Sequence, residues 1–314
     1  MASKTITLSI RPRGKPIKKL PEETAVAPED STEQLYKKIA ASAGTSVHRL
    51  RITKGIDGSV VGNAKNVTIA QVDLHDKSTI YVKDLGPQLG WRFVYIIEYL
   101  GPLLIHPLVY YLRPYIFSLP PFSVPSSKIG APSDLQTLSC ALITLHFLKR
   151  EFETIFVHRF SLATMPARNI VKNSGHYWLF SGLFLALSIY RPTGPTDSPY
   201  SPLLTPLGIA LFFIGELGNL WTHLTLRGLR PAGSTERGVP QTWPFKLVTC
   251  PNYMFEAYAW TGVLLLTRSL AAALFLVLGV GQMAVWAKKK ESRYRKEFGA
   301  NYQKKRFAMI PGLV

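Results

Sequence analysis

Between apolar runs, the chain carries a stretch whose polar side chains are spaced for joint chemistry: ELGNLWTHLTLRGLRPAGSTERGVPQTWPFKLVTCPNYMFE, residues 216–256. Asn219, His223 and Arg227 recur at i, i+4 and i+8, with Glu216 about one turn earlier, so a helix would align all four along one face. A loop with Arg230 and Arg237 follows. Pro251 then suits the first turn of a new helix, where its missing N–H would have had no partner, and Asn252 and Glu256 share a face of that helix. Tyr253 sits in the same first turn, where free backbone N–H groups and the positive end of the helix dipole favour an anionic ligand. Any one of these residues is explained by an interhelical hydrogen bond. Two carboxylates, two amides, a histidine and several arginines together are not, because ionisable groups inside a membrane are costly enough to mark function.

The elements that must position them are membrane spans. WRFVYIIEYLGPLLIHPLVYYL, residues 91–112, is long enough to cross a hydrocarbon core of about 30 Å, and it contains Glu98. Further candidate spans lie at 134–148, 175–190, 203–222, 252–267 and 269–287. Six spans with a cytosolic N-terminus leave Arg113, Lys128, Arg191 and Arg268 in the lumen; the other 19 of the 23 Lys and Arg after residue 90 then face the cytosol, as the positive-inside rule requires. This places KREFETIFVHRF (149–160), the 223–250 loop and KKKESRYRKEFGANYQKKR (288–306) on one side, with both termini cytosolic. Lys149 and Arg150 end a span. They read either as topogenic charges or as partners for phosphates that stay at the aqueous edge.

The N-terminal region is of another kind. MASKTITLSIRPRGKPIKKL alternates and is studded with charge, unlike a signal peptide. Residues 4–12 read as a strand, and STEQLYKKIAASA (31–43) as a helix capped by Ser31 or Thr32. RLRIT (49–53) and a pair within 68–85 supply further strands. This order, with its closing ST-x-Y-V strand, resembles ubiquitin over about 85 residues. Gly86-Pro87 runs straight on, so there is no terminal Gly-Gly to conjugate, and a docking or stabilising module is expected.

The totals exclude several classes. The net charge is +18, with 14 Lys and Arg against 9 Asp and Glu up to residue 90 and 23 against 10 beyond it. The basic excess thus lies in the hydrophobic part, which argues against nucleic acid as partner and for basic loops flanking membrane helices or gripping phosphates. Cys140 and Cys250 are the two cysteines, giving no disulfide scaffold or thiolate site. His146, His158 and His176 are scattered and read as structural, so no metal site is expected.

Five segments, GPQLGWR with EYLGPLLIHP (86–107), LHFLKREFETIFVHRFSLATMPARNI (145–170), LGNLWTHLTLRGLRPAGS (217–234), CPNYMFE (250–256) and WAKKKESRYRKEF ending in IPGLV (286–314), are similar to the steroid 5-alpha-reductase superfamily, and within it to the very-long-chain trans-2-enoyl-CoA reductases. KKKESRY carries lysines where the family often has histidines. The resemblance implies a small α+β ubiquitin-like (β-grasp) domain at 1–86 followed by an all-α polytopic membrane domain at 87–314 with about six to seven transmembrane helices, seated in the endoplasmic reticulum. It implies reduction of long-chain trans-2-enoyl-CoA by NADPH as the last step of fatty-acid elongation, with membrane lipids and other elongation enzymes as neighbours. Carried onto this chain, it makes Asn219, His223, Arg227, Arg230, Asn252, Glu256 and Tyr294 the NADPH contacts, with Lys149 and Arg150 toward the phosphates of CoA or NADPH.

Such a reduction puts hydride on the β carbon and a proton on the α carbon while charge builds on the thioester oxygen, so an acid must stand beside that oxygen or that carbon. Tyr253, a phenol near basic residues, and Glu98, a carboxyl within a span, are the expected catalytic pair. The competing readings are a sterol-reducing enzyme that shares NADPH, an S-adenosylmethionine-dependent membrane methyltransferase, whose expected RHP-type start is CPNY here, and a scaffold in which the ubiquitin-like domain recruits partners and the helices only anchor it.

Overall fold

A computed structural model of the chain describes residues 5–160, 163–194, 196, 200–229, 238–303, 305 and 307–314. Arg230 and Arg237 lie outside the described residues. The chain divides into two compact units: one holds the residues up to Trp91 together with Ala163–Asn169, and the other holds the rest.

The first unit is strand-rich. Strands β1 (Ile6–Pro12), β2 (Glu23–Val26), β3 (Leu50–Lys54), β4 (Val60–Val61) and β5 (Thr79–Asp84) form one sheet in the order β2-β1-β5-β3-β4. β1 and β5 are parallel and the other pairs antiparallel. Helix α1 (Thr32–Ser42) starts at Ser31, whose side chain accepts from the Gln34 N–H while the Gln34 side chain reaches back to the Ser31 backbone, a reciprocal cap that satisfies two orphan donors. Leu35, Tyr36 and Ile39 of α1 join Leu8, Ile10, Ile52, Ile80 and Val82 in the core, as alternation in the strands and helical spacing in α1 dictate.

One expectation is corrected. Residues 68–85 do not supply two strands, because 70–72 form a tight helical turn in which Thr68 and Gln71 cap one another. Asp73 then turns left-handed at φ 57°. The short strand is β4, further upstream. A two-stranded ladder of β6 (Gln88–Gly90) and β7 (Thr164–Pro166) completes the unit.

The second unit is helical. Its long elements are α2 (Trp91–Tyr111), α4 (Asp134–Phe152), α7 (Leu204–Gly228), α9 (Pro251–Thr267) and α10 (Leu270–Phe298). Shorter ones are α3 (Arg113–Ser118), α5 (Asn169–Gly175), α6 (Leu185–Tyr190) and α8 (Trp243–Leu247). Among the described residues, three helices are long and apolar enough to cross a membrane: α2, α7 and α10. Wide π-type turns continue α4 through Glu153–Val157 and join α5 to α6 through His176–Phe184. Turns of this kind often sit where a helix must aim side chains at a site.

α7 and α9 pack backbone to backbone through glycines. A Cβ on Gly262 would stand 2.5 Å from the Gly208 carbonyl oxygen and 2.7 Å from the Phe212 nitrogen, so no side chain fits without separating the helices. Small residues give membrane helices this close approach. Gly262→Ala is therefore expected to destabilise by about 1–3 kcal/mol, read as a lowered unfolding midpoint in detergent; an unchanged midpoint would mean the two helices are free to part.

Candidate active site

His146, Lys149, Arg150 and Glu153 fall at i, i+3, i+4 and i+7, on one face of α4 and the wide turn that extends it. That face meets α7 and α9. His146 Nδ1 lies 2.6 Å from Glu216 Oε1, and its Nε2 lies 3.5 Å from Glu256 Oε1. The Lys149 ammonium donates to Asn219 Oδ1 at 2.8 Å and pairs with Glu216 at 3.2 Å and Glu153 at 3.3 Å. Arg150 donates to Glu153 Oε2 at 2.7 Å and to the Tyr99 hydroxyl at 2.8 Å, with its guanidinium 5.0 Å from the Tyr99 ring centre. Glu153 has no exposed surface. A buried carboxylate is tolerated only with such partners, since leaving one charge unpaired costs several kcal/mol.

α7 and α9 close the cluster. Asn219 Nδ2 donates to the Asn252 carbonyl at 2.9 Å and to Glu256 Oε2 at 3.2 Å, reaching across the glycine-packed contact. Trp260 Nε1 donates to Glu256 Oε1 at 3.2 Å. At the end of α7, His223 and His158 meet edge to face, 4.6 Å between ring centres. Burial, followed by the neighbouring His223, Arg150 and Lys149, pushes the His158 imidazole down to about 3, so that ring is neutral.

Next to this cluster lie the groups suited to proton donation. Glu98 on α2 is buried and accepts from Asn173 Nδ2 at 2.8 Å. Tyr253 is half-buried in the first turn of α9, within electrostatic range of Tyr95, Arg150 and Tyr294. Glu98 is in turn within range of Tyr95 and Arg150. The C-terminal segment backs Tyr253: Cys250 N–H donates to the Ala308 carbonyl at 2.9 Å, and Met309, Ile310 and Val314 pack with Tyr253, Ala257 and Ala287. Glu291 of α10 accepts from both the Thr249 and Tyr302 hydroxyls. Burial first, and then Glu291, pushes the Tyr302 hydroxyl up, so it remains a donor.

Of the residues expected from the sequence, Glu216, Asn219, His223, Asn252 and Glu256 are brought together, with Lys149 and Arg150 at their centre. Lys149 and Arg150 turn inward onto carboxylates. Tyr294 is buried on α10 beneath the Lys290 ammonium, 5.5 Å from its ring centre. Arg227 is exposed; its carbonyl accepts from Arg159 at 3.1 Å. Sequence reasoning missed Glu153, the role of His146, and the Tyr99 and Asn173 contacts. The i, i+3, i+4, i+7 spacing of His146, Lys149, Arg150 and Glu153 was the available signal.

The residues present fit a nicotinamide nucleotide. Asn252 Oδ1 is buried with no hydrogen-bond partner, an acceptor suited to an amide N–H, and Arg159 and Arg227 lie exposed at the same end for phosphate charge. Comparison with known proteins agrees with a reductase. A family model described as 3-oxo-5-alpha-steroid 4-dehydrogenase matches residues 163–314. A Schizosaccharomyces pombe protein bearing an enoyl reductase name is 43% identical over 308 residues, 98% of this chain and 99% of its own. The very-long-chain enoyl-CoA reductase of Dictyostelium discoideum is 39% identical over 90% of this chain and 91% of its own. A Bos taurus trans-2,3-enoyl-CoA reductase-like protein is 33% identical over 79% and 68%. Reductases are thus the class, with the steroid-enzyme family model matching residues 163–314. Within it, the chain belongs to the enoyl-CoA reductase family.

Removing one cation should expose the balance of the cluster. Lys149→Met is expected to cost about 3–5 kcal/mol, and adding Glu216→Gln should recover part of the loss. Thermal unfolding of the two single variants and the double variant tests this; strictly additive losses would mean that Lys149 and Glu216 are not coupled.

Proposed function

We propose that this chain reduces very-long-chain trans-2-enoyl-CoA to the saturated acyl-CoA with NADPH, as the last step of the fatty-acid elongation cycle. The chain is an oxidoreductase acting on a CH–CH double bond, an enoyl-CoA reductase, and its substrate is an acyl-CoA. The observation that carries the reading is the near full-length match to enoyl reductases. A reductase of this class needs a nicotinamide cofactor, and when bound that cofactor supplies the hydride. NADPH as the particular nucleotide is supported by the resemblance of the sequence and by the arginines at that end of the helices, since guanidinium forks match phosphate oxygens.

In this reading the residues divide the work. Asn219, His223, Arg227, Arg230, Asn252, Glu256 and Tyr294 hold the nucleotide. Asn252 Oδ1 accepts from it, and Asn219 fixes Asn252 by bonding its carbonyl. Lys149 and Arg150 belong to the same site, setting Asn219 and Glu153 in place and adding positive field for phosphates. Tyr253 O–H and Glu98 O–H are the acids: one hydrogen-bonds the thioester oxygen as charge develops there, and the α carbon receives the proton as the β carbon receives hydride. The reaction balances with one hydride and one proton added across the double bond.

The protein is a membrane protein, and its placement in the endoplasmic reticulum as a multi-pass chain of six to seven spans with both termini cytosolic follows from the same reading. The domain boundary near residue 86 and a ubiquitin-like, β-grasp first domain are supported by the β2-β1-β5-β3-β4 order with α1 packed on it. One observation favours a second substrate: the family model covering 163–314 is described for a steroid enzyme, and a conjugated steroid ketone demands the same hydride, proton and oxygen-binding chemistry.

The test is oxidation of NADPH by the detergent-purified chain with a long-chain trans-2-enoyl-CoA, beside a steroid enone. Tyr253→Phe is expected to lower kcat by about 10²–10⁴-fold with NADPH binding intact, and Glu98→Gln to lower it in the same sense. A folded wild type that oxidises NADPH only with the steroid would overturn the substrate assignment, and one that binds no NADPH would overturn the cofactor.

A further inference from the structure

Three donor atoms converge at the end of the charge cluster and lack hydrogen-bond partners: Glu153 Oε1, His158 Nε2 and His223 Nδ1. One ligand atom from each of these three residues lies within 4.8 Å of the other two, the single such group of His, Cys, Asp or Glu among the described residues. Each comes from a different place: the wide turn after α4, the segment that leaves it, and the end of α7. Glu153 is fully buried, His223 is 8% exposed, and His158 is half-buried. Glu153 Oε1 and His223 Nδ1 stand 3.0 Å apart yet outside hydrogen-bond geometry. Buried polar atoms are hydrogen-bonded in the great majority of cases, so three atoms at one point without a hydrogen bond, Glu153 Oε1 among them held only by ion-pair proximity, call for a shared partner.

We propose that Glu153, His158 and His223 bind a divalent transition-metal ion, Zn²⁺ by the nature of the donors. Two imidazole nitrogens and one carboxylate oxygen are a set zinc takes in sites that keep a fourth position open. Donors about 2.0–2.2 Å from a tetrahedral ion stand roughly 3.3–3.5 Å apart, a contraction that side-chain rotation at the two histidines can supply. Lys149 and Arg150 face the same carboxylate, at 3.3 and 2.7 Å, and compete with the ion. Two features offset them. The cluster sets the three carboxylates Glu153, Glu216 and Glu256 against those two cations, and Lys149 keeps Glu216 and Asn219 as partners if it yields Oε1. The competition sets the expected strength: a dissociation constant on the order of micromolar, far weaker than a structural zinc site. The inference rests on the donor atoms; it shares His223 with the proposed nucleotide site, so the titration is made without nucleotide.

The test uses the full chain purified in detergent with a histidine-free affinity tag and titrated with Co²⁺. The expected result is one equivalent bound with the absorption of a four-coordinate N/O site, bleached by Zn²⁺, and weakened at least about tenfold in His158→Gln. Absence of the absorption in folded wild type up to about 100 μM Co²⁺, or an unchanged affinity in His158→Gln, would overturn the proposal. Should His158→Gln fail to fold, wild type alone decides: bleaching by Zn²⁺ together with an unfolding midpoint that rises with zinc concentration supports the site, and a midpoint indifferent to zinc overturns it.

Discussion

The helical unit depends on neutralising charge that it has taken out of water. Glu153 has no exposed surface, and the price of removing a carboxylate from water is met only because Arg150 and Lys149 both reach it. Those two cations sit on the same helix as Glu153, so the pairing fixes the pitch of the wide turn at 153–157. Lys149 then extends to Glu216 and Asn219, and His146 to Glu216 and Glu256. α4, α7 and α9 are thereby held in one register: sliding any of them by a residue would leave a buried charge unmatched.

Apolar packing sets how near these helices come, and polar contacts set their alignment. Gly208, Gly215 and Gly262 let α7 and α9 touch through their backbones, and only at that distance can the short Asn219 side chain span from one helix to the Asn252 carbonyl on the other. Arg150 carries the alignment to α2 through the Tyr99 hydroxyl, one residue from Glu98. Asn252 and Tyr99, the neighbour of Glu98, are thus positioned within two contacts of the central ion pairs, a rigid scaffold for chemistry that needs groups held to about half an ångström.

Much of this was legible in the sequence where a single element decided it. Ser31 as a helix cap, the apolar run from Trp91, Pro251 in a first turn, and the face shared by Glu216, Asn219 and His223 follow from local spacing. What spacing does not contain is which faces meet. His146 read as a scattered structural histidine because its two carboxylate partners lie 70 and 110 positions away in the chain. Lys149 and Arg150 read as charges at a span end, assigned to the phosphates of CoA or NADPH, and only the packed helices show them turned inward onto carboxylates. The first strand of the pair read within 68–85 failed for a local reason instead: the mutual cap of Thr68 and Gln71 offers the backbone a helical turn in place of a ladder.

The same packing separates groups that hold the structure from groups left to react. Glu216 is bracketed by His146 and Lys149, Glu153 by Arg150 and Lys149, and Glu256 by Asn219, Trp260 and His146. Any proton movement at these carboxylates would break an ion pair or hydrogen bond of the buried cluster, so they are poorly placed to act as acids. Glu98 differs. Its hydrogen bond is to the neutral amide of Asn173, which occupies Oε1 and leaves Oε2 to carry a proton without loss of a salt bridge. Tyr253 likewise is held by packing against Met309, Ile310 and Ala287 and not by an ion pair. Glu98 and Tyr253, the acids of the proposed reaction, are thus the two groups whose chemistry would cost the fold least.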